Sequence, residues 1–331
     1  MAKPWTTTAL TETIRAFQPA CIITAAADLD VFTMLSRQAM TAATLAAAIH
    51  AAPRATTILL DSLVALELLG KRQGVYFVPP EVTEWLSADS PINVLPAVRH
   101  QGNCLRRWAQ LAQVVRDGTP AERVPSIRGA AADCEAFIGA MNSFTAGVAP
   151  DIVGKLASRQ FQRLLDIGGA SGTWTIAFLR AAPDATAVLF DRPDVIPMAR
   201  TRLASAGLLD RVTLVPGDYD VDVLPAGADF AWLSAVTHQN SRTQNQALFA
   251  KIHAALTAGG TLVIRDIVMN PSRTAPPAGA LFAVNMLVAT EGGNSYTLDE
   301  FRANLTAVGF TDIELLHEDE WMNSLISARK A

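Results

Sequence analysis

A buried strand that runs straight into a glycine-rich turn constrains this chain more than any other feature. Residues 164–172 read LLDIGGASG, so an apolar run that contains an acidic residue is followed by three glycines within five positions. Residues 173–182 then have the pattern of a helix. Glycine has no Cβ atom, and the first turn of a helix has unpaired N–H groups. The segment therefore predicts a turn at which the backbone lies close to a ligand.

Two further acidic residues follow apolar runs later in the chain. Asp191 follows residues 187–190, and Asp218 follows residues 212–217. In an open parallel sheet the carboxyl ends of the strands share one edge, where ligands bind. We therefore expect an adenosine pocket, in which Asp191 accepts from the ribose hydroxyls, Asp218 accepts from the adenine amino group, and Tyr219 packs on the ring.

Other interpretations of these residues stay open. Asp191 and Asp218 could instead cap helices or form turns, and nicotinamide-dependent enzymes place an acid at the position of Asp191. The turn has the spacing D-x-G-G-x-x-G rather than G-x-G-x-x-G. This departure disfavours a pyrophosphate site and favours a compact nucleoside with a charged tail.

The chain from residue 163 onward predicts an α/β domain with a mostly parallel sheet. Apolar runs alternate with helical segments, which implies right-handed strand–helix–strand crossovers. The predicted strands are 163–167, 186–190, 211–215, 228–233 and 260–266, followed by 311–316 and 322–329. The predicted helices are 173–182, 193–206, 241–257 and 298–308.

Residues 1 to about 150 are predicted to be almost wholly helical, with a winged-helix arrangement. Helices over 41–50 and 56–69, the second ended by Gly70, precede a short hairpin over 74–78. The second helix is mostly apolar and lacks the Arg, Lys and Gln side chains that read bases. The net charge of −4 also disfavours nucleic acid as a partner. We therefore expect a dimerisation role, with a DNA-binding regulator as the alternative.

Length and composition bound the remaining properties. The 331 residues suit two domains, placed at 1–100 and 151–331 with a helical connector over 101–150. No apolar run approaches the length of a membrane span, so we expect a cytoplasmic protein without a membrane partner. No metal site is predicted, because the cysteines are widely spaced and are expected to be small core residues: Cys21, Cys104 and Cys134.

His238 is the main candidate for a chemical role. It follows the apolar run 230–237 and precedes the polar residues Gln239 and Asn240. This position places it at a strand end beside the expected cofactor. A neutral imidazole there can take a proton from a hydroxyl group near pH 7. The alternative is a histidine with a structural role only.

Taken together, these motifs resemble those of class I S-adenosylmethionine-dependent O-methyltransferases of the two-domain type, found in plants and in bacterial secondary metabolism. The resemblance covers essentially the whole chain and implies a Rossmann-like sheet of seven strands with an N-terminal dimerisation domain. It also implies S-adenosylmethionine as the cofactor and His238 as the general base. The cofactor residues that it implies are Gly168 and Gly169 at the methionine part, Asp191 at the ribose, Asp218 and Tyr219 at the adenine, and Ser234 through its backbone.

The resemblance also indicates residues that flank the base. One acidic neighbour has its counterpart in Asp266, which is expected to orient the imidazole. The second acid of the plant members is replaced by Ser295, and whether Glu291 compensates stays open. Gln239 and Asn240 stand where the family often has Asp and Trp. These departures from the family pattern affect the expected identity of the methyl acceptor more than the expected type of reaction.

The expected acceptor is a small molecule with a hydroxyl group, aromatic or polycyclic. Its pocket is expected to be formed by two helical segments, whose candidate residues are Phe137, Met141 and Asn142, and Phe282, Asn285 and Met286. The apolar members could instead be ordinary core residues, whereas buried amides need partners that a substrate can provide.

Several functional alternatives stay open beside this hypothesis. The chain could be a non-catalytic or repurposed S-adenosylmethionine-binding protein, or an NAD(P)-linked oxidoreductase built on the same sheet. Methyl transfer to nitrogen or carbon is also compatible with the residues. The N-terminal domain is expected to form a homodimer.

Overall fold

The structure is a computed structural model that describes residues 5–331. The described chain divides into two compact units. The first contains the residues up to Arg106 together with Arg123–Ser143, and the second contains Arg107–Glu122 together with Phe144–Ala331. The connector predicted over 101–150 is thus divided between the two units.

The first part of the chain is helical with one small sheet. Its elements are, in order, α1 Thr7–Arg15, α2 Phe17–Asp28, α3 Val31–Arg37, β1 Met40–Thr41, α4 Ala42–Ala48, α5 Pro53–Ala65, β2 Gly70–Arg72, β3 Val75–Phe77, α6 Pro80–Leu86, α7 Leu95–Trp108, α8 Leu111–Asp117 and α9 Ala130–Thr145. The strand β3 pairs antiparallel with both β1 and β2. The predicted hairpin is therefore part of a three-stranded wing.

Apolar faces of helices in the first unit meet beside the small sheet. Phe32, Leu45, Leu60 and Tyr76 are buried there, and burying each such side chain contributes about 1.5–3 kcal/mol. The hydroxyl of Tyr76 donates to Asp61 at 2.7 Å, so the polar end of this core residue has a partner.

The prediction that Gly70 ends the second helix is wrong. α5 ends at Ala65, and the chain turns through Glu67, which has a left-handed φ of 61°. Gly70 instead begins β2 opposite Phe77, where a Cβ atom would lie 2.1 Å from the ring. Glycine at this position therefore permits a close approach between two strands rather than a helix end.

The expectation of core cysteines holds for one residue of three. Cys104 is buried, whereas Cys21 and Cys134 are exposed on α2 and α9, and within residues 5–331 none of the three forms a disulfide. The exposed positions are a correction to that prediction.

Within residues 5–331, no single helix is both long and apolar enough to cross a membrane. Two bent helix pairs, Thr7–Asp28 with Val31–Arg37 and Ala42–Ala48 with Pro53–Ala65, meet that test together by length and composition only.

The second unit contains the larger sheet. Its further elements are α10 Ala149–Gly154, β4 Arg163–Ile167, α11 Thr173–Ala181, β5 Thr186–Asp191, α12 Ile196–Ser205, β6 Val212–Pro216, β7 Ala228–Ser234, α13 Arg242–Ala255, β8 Leu256–Asp266, β9 Val268–Met269, α14 Pro277–Ala289, β10 Tyr296–Thr297, α15 Leu298–Ala307, β11 Phe310–His317 and β12 Ser324–Lys330. Two 3₁₀ turns lie at Leu209–Arg211 and Thr237–Gln239.

The seven-stranded, mostly parallel sheet is confirmed. Its order is β11-β12-β8-β7-β4-β5-β6, and β4 to β8 run parallel while β12 runs antiparallel to its neighbours. Strand order reverses on either side of β4, because β5 lies on one side and β7 on the other. Ligands bind at such a reversal, outside the carboxyl ends of the strands.

Both faces of this sheet are covered by apolar side chains. One layer contains Leu165, Leu233 and Phe249, and the other contains Leu164, Trp232 and Phe178. The near-continuous apolar strands in the sequence follow from this burial on both faces. The observed strand ends lie within two residues of the predicted ones, except that β8 begins four residues earlier, at Leu256.

Candidate active site

The glycine turn after β4 packs tightly on the next strand. Gly168 has a left-handed φ of 69°, and its N–H donates to the carbonyl oxygen of Phe190 at 2.9 Å. A Cβ atom on Gly169 would lie 2.6 Å from Cγ of Leu189, which is fully buried. Backbone atoms, not side chains, therefore form this part of the edge of the sheet.

We expect Gly169→Ala to lower the stability of the protein by about 1–3 kcal/mol, because the added methyl group overpacks against Leu189. Chemical denaturation measures this change. Gly154→Ala is the matched control, since Gly154 lies exposed in α10 and a Cβ atom there meets nothing within 4 Å. That variant should be neutral or slightly more stable. Equal stability of the two variants would contradict the packing argument.

The predicted ribose and adenine residues lie on neighbouring strands. Asp191 ends β5, and its carboxylate accepts from the N–H groups of Ala170 and Arg192, both at 2.7 Å. The N–H of Gly217 donates to the carbonyl oxygen of Asp191 at 2.9 Å, which places Asp218 beside it. Burial raises the pKa of Asp191 above its ordinary value. A carboxylate can accept further hydrogen bonds beyond these two.

Asp218 and Tyr219 form part of a compact turn after β6. Asp218 accepts from the N–H of Asp220 at 2.9 Å. This bond is the alternative role of Asp218, in forming a turn, that the sequence also allows. Tyr219 is half-buried against the sheet core, and burial raises the pKa of its phenol to about 12. It is therefore neutral at physiological pH and offers an uncharged ring face.

Asp166 is a buried acid beneath the glycine turn. It is 1% exposed, and its carboxyl accepts from the hydroxyl of Thr175 at 2.6 Å. Burial raises its pKa to about 7, which the Thr175 hydrogen bond partly opposes. Between pH 4 and 7 the folded protein thus holds a proton that the unfolded chain has released, so stability falls as pH rises through this range.

We expect Asp166→Asn to remove this part of the pH dependence, because an amide does not ionise. Thermal unfolding at pH 5 and pH 8 measures it. The decrease in Tm between the two pH values should be smaller in the variant than in the wild type. Equal decreases would show that Asp166 does not hold its proton in the folded state.

A bend after β7 brings His238 to the edge of the sheet. Ala235 has a left-handed φ of 57°, which is uncommon without glycine, and its N–H donates to the carbonyl oxygen of Arg265 at 2.9 Å. The chain then forms the 3₁₀ turn that contains Thr237 and His238. His238 is 6% exposed and lies opposite Asp266, the last residue of β8.

Asp266 holds His238 through a network of hydrogen bonds. Nδ1 of His238 lies 2.9 Å from Oδ1 of Asp266. The same carboxylate accepts from the hydroxyl of Thr237 at 2.5 Å and from the N–H of Ile267 at 2.8 Å. Burial acts to raise the pKa of Asp266, but His238 and these donors outweigh it and lower the pKa below its ordinary value. The carboxylate is thus ionised at neutral pH.

This arrangement selects one tautomer of the imidazole. A carboxylate accepts hydrogen bonds, so the proton of neutral His238 resides on Nδ1 and Nε2 carries a lone pair. The ring of Phe282 packs edge-on against His238, with centroids 4.8 Å apart. Nε2 can therefore accept a proton from a group placed beside it.

Helix α14 supplies the second-unit members of the predicted acceptor pocket. Phe282 contacts the imidazole, and Asn285 follows one turn later. The indole N–H of Trp108 donates to Oδ1 of Asn285 at 3.0 Å. Because an indole nitrogen only donates, this bond fixes which end of the amide faces it. Met286 is 5% exposed, which is a core position.

Phe137, Met141 and Asn142 lie on α9 in the first unit. The ring of Phe137 packs against His100, with centroids 5.2 Å apart, and is 40% exposed. Met141 and Asn142 are half-buried. Their part in an acceptor pocket stays a prediction.

The position of the second family acid lies in a segment that contacts His238. Ser295 is buried, and its hydroxyl donates to the carbonyl oxygen of Gly279 at 2.9 Å. The N–H of Asn294 donates to the carbonyl oxygen of His238 at 2.9 Å. Glu291 is exposed and forms no hydrogen bond or ion pair with the residues that the structure describes. A backbone contact, not an acidic side chain, approaches His238 from this direction.

Three residues at the site were missed from the sequence. Thr237 donates to Asp266, Trp108 donates to Asn285, and the buried Arg265 donates to Ser234 at 3.1 Å. A signal existed for Arg265, because a charged residue interrupts the apolar run of β8. Nothing in the sequence pairs Trp108 with a residue 177 positions away.

Comparisons with known proteins decide the family. Residues 108–311 match the O-methyltransferase domain, and residues 11–87 match the O-methyltransferase dimerisation domain. The chain belongs to the O-methyltransferase family. The tetracenomycin polyketide synthesis 8-O-methyl transferase TcmO of Streptomyces glaucescens is 33% identical to this O-methyltransferase, over 90% of this chain and 89% of the relative.

Two further relatives agree with this assignment. The 3-hydroxy-5-methyl-1-naphthoate 3-O-methyltransferase of Streptomyces sahachiroi is 27% identical over 88% of this chain and 86% of its own. A solved structure, PigF with SAH, is 25% identical, has a TM-score of 0.84, and matches 98% of this chain and 100% of its own. The predicted family, enzyme class and S-adenosylmethionine cofactor are confirmed.

The edge of the sheet fits this cofactor chemically. The glycine turn presents backbone without side chains, the carboxylate of Asp191 can accept further bonds, and Tyr219 offers a neutral ring. Ser234 is half-buried at the end of β7, and its hydroxyl hydrogen has no acceptor among residues 5–331. These groups match the ribose, the adenine and the polar tail of a nucleoside.

Proposed function

We propose that this O-methyltransferase methylates a hydroxyl group of an aromatic or polycyclic small molecule, with His238 as general base. The hydrogen bond between Nδ1 of His238 and Asp266 carries the proposal, because it leaves Nε2 as a proton acceptor. Asp266 would orient the imidazole and stabilise its positive charge after proton transfer. The proton moves from the acceptor hydroxyl to Nε2.

The cofactor would be held at the carboxyl ends of β4 to β7. Gly168 and Gly169 would face the methionine part, and Asp191 the ribose. Asp218 and Tyr219 would hold the adenine, with Ser234 near the tail. When bound, S-adenosylmethionine supplies a methyl group on a positively charged sulfur. The protein contributes positioning and a base.

The acceptor pocket would be lined by side chains of α14. Phe282 packs on the imidazole and offers an apolar wall, while Asn285 offers an amide hydrogen-bond group. The relatives that act on a naphthoate and in tetracenomycin polyketide synthesis support a flat, aromatic acceptor. Met286 completes the proposed set on α14, and the part of Phe137, Met141 and Asn142 stays a prediction.

The test is transfer from S-adenosylmethionine to a panel of hydroxylated naphthoates, anthraquinones and phenols. Mass spectrometry should find a product heavier by one methylene, and fragmentation should place it on oxygen. A product methylated on nitrogen or carbon would contradict the proposed acceptor group. Tight binding of S-adenosylhomocysteine with no turnover on any acceptor would favour the alternative of a non-catalytic family member.

We also propose a homodimer formed through the first unit. The helix α1 contains no buried residue, and Leu10, Ile14 and Phe17 are exposed in or beside it. An exposed apolar face of this kind is typical of an interface. Light scattering should give twice the chain mass, and a monomer would contradict the proposal. Cytoplasmic location stays a prediction.

A further inference from the structure

Arg265 is a buried cation whose hydrogen-bond partners within residues 5–331 are uncharged. It is 3% exposed at the carboxyl end of β8, and its guanidinium lies 4.8 Å from the ring centre of Trp174. Two of its nitrogens donate to Oδ1 of Asn323, at 3.1 and 2.6 Å, and Nη1 donates to Oγ of Ser234 at 3.1 Å. No carboxylate among residues 5–331 forms an ion pair with it.

This burial is unfavourable for the protein alone. Removing a cation from water is costly unless an anion or several acceptors replace the solvent. Burial lowers the pKa of Arg265 to about 10, despite the opposing charges of Asp266 and Asp319. The residue nevertheless remains protonated at neutral pH. A bound anion nearby would recover part of the lost solvation.

Ser234 connects Arg265 to the edge of the sheet. Its oxygen accepts from Arg265, so its own O–H is left to donate elsewhere. Ser234 ends β7, directly after Leu233, which pairs with Ile167 of β4. Ser234 is therefore at the same level of the sheet as the turn that begins with Gly168. The donated hydrogen and the charge behind it lie at the edge where the cofactor tail is expected.

We propose that Arg265, acting through the hydroxyl of Ser234, is the cationic group that positions the methionine carboxylate of the cofactor. Arg265 donates to Oγ of Ser234, and the Ser234 hydroxyl donates to a carboxylate oxygen. The bound carboxylate would then add a negative charge to those of Asp266 and Asp319, which already act on Arg265. Arg265 is a positioning residue, and the proposal rests on the placement of the methionine part in the proposed function.

Calorimetric titration tests the proposal with two ligands that differ in one group. The first is S-adenosylhomocysteine, and the second is 5′-deoxy-5′-(3-aminopropylthio)adenosine, which lacks only the carboxylate. Arg265→Met removes the charge and keeps an apolar chain. We expect it to lose about 10- to 100-fold in affinity for the first ligand and almost nothing for the second. Equal losses for both ligands, or no loss, would overturn the proposal.

Two further variants separate this effect from a general disturbance. Ser234→Ala should lower the affinity for S-adenosylhomocysteine alone, by a smaller factor than Arg265→Met. If Arg265→Met does not fold, Ser234→Ala provides the test of the proposal. No selective loss in Ser234→Ala would then overturn the proposal. Arg211→Met is the matched control, because Arg211 donates to the carbonyl oxygens of Leu179, Ala182 and Ala185 at the other end of the strands. A carboxylate-selective loss in that control would also contradict the proposal. Binding needs no turnover, so a failure of His238 as base leaves this test unaffected.

Discussion

Replacing His238 by alanine is expected to lower kcat by about 10²–10⁴ and to leave the affinity for S-adenosylhomocysteine nearly unchanged. The imidazole is 6% exposed and its Nδ1 faces Asp266, so in the proposed reaction Nε2 would meet the acceptor hydroxyl. Without it, the acceptor must lose its proton to water. Single-turnover transfer, quenched and followed by mass spectrometry, measures the chemical step separately from binding.

His253→Ala is the matched control for this prediction. The ring of His253 packs edge-on against Phe310, with centroids 5.0 Å apart, and lies on α13 rather than at the strand ends. Its loss should affect stability more than kcat. Unchanged turnover in His238→Ala would remove the proposed base. A parallel loss of cofactor affinity would indicate that the 3₁₀ turn has collapsed instead.

Asp266→Asn is expected to lower kcat by roughly 10², because an amide does not hold the imidazole with its proton on Nδ1. The variant should also be less stable by about 1–3 kcal/mol, since buried donors from Thr237, His238 and Ile267 lose their carboxylate acceptor. The two effects are measured separately, by single-turnover transfer and by chemical denaturation. Affinity for S-adenosylhomocysteine should change little.

Thr237→Val distinguishes the two roles of Asp266. It removes the hydroxyl that donates to the carboxylate at 2.5 Å but leaves the contact between Asp266 and His238 in place. Its stability should fall while kcat stays within a few-fold of the wild type. If Thr237→Val and Asp266→Asn lowered kcat equally, Asp266 would act on the turn as a whole rather than on the tautomer.

The strands and the glycine turn were predictable because their physical causes are local. A strand buried on both faces must be apolar throughout, as 164–167 and 187–190 are, and a turn packed against Leu189 must be glycine at 169. Gly70 is also a glycine at the end of an apolar run, but it is required there by the close approach of Phe77. The prediction that it ends a helix was therefore wrong.

The site was predictable only in part, because its contacts join distant positions. The sequence marked Asp191 and Asp218, and the family resemblance supplied Asp266 as the partner of His238. The left-handed bend at Ala235 directs the imidazole toward Asp266. It could not be predicted from the sequence, because the residue at this position is not a glycine. The Trp108–Asn285 bond depends on two segments that meet only in the folded unit.

The contacts of the segment after α14 limit how the acceptor choice of such enzymes can be altered by exchanging helices. Residues 290–296 follow α14 in the chain and contact the turn that contains His238. The N–H of Asn294 donates to the carbonyl oxygen of His238, and the hydroxyl of Tyr296 donates to the carbonyl oxygen of Asn240 at 2.5 Å. The helix proposed to line the acceptor pocket is thus joined directly to the segment that supports His238. Exchanging this helix between relatives to alter acceptor choice should therefore succeed only when 277–297 is transplanted as one piece.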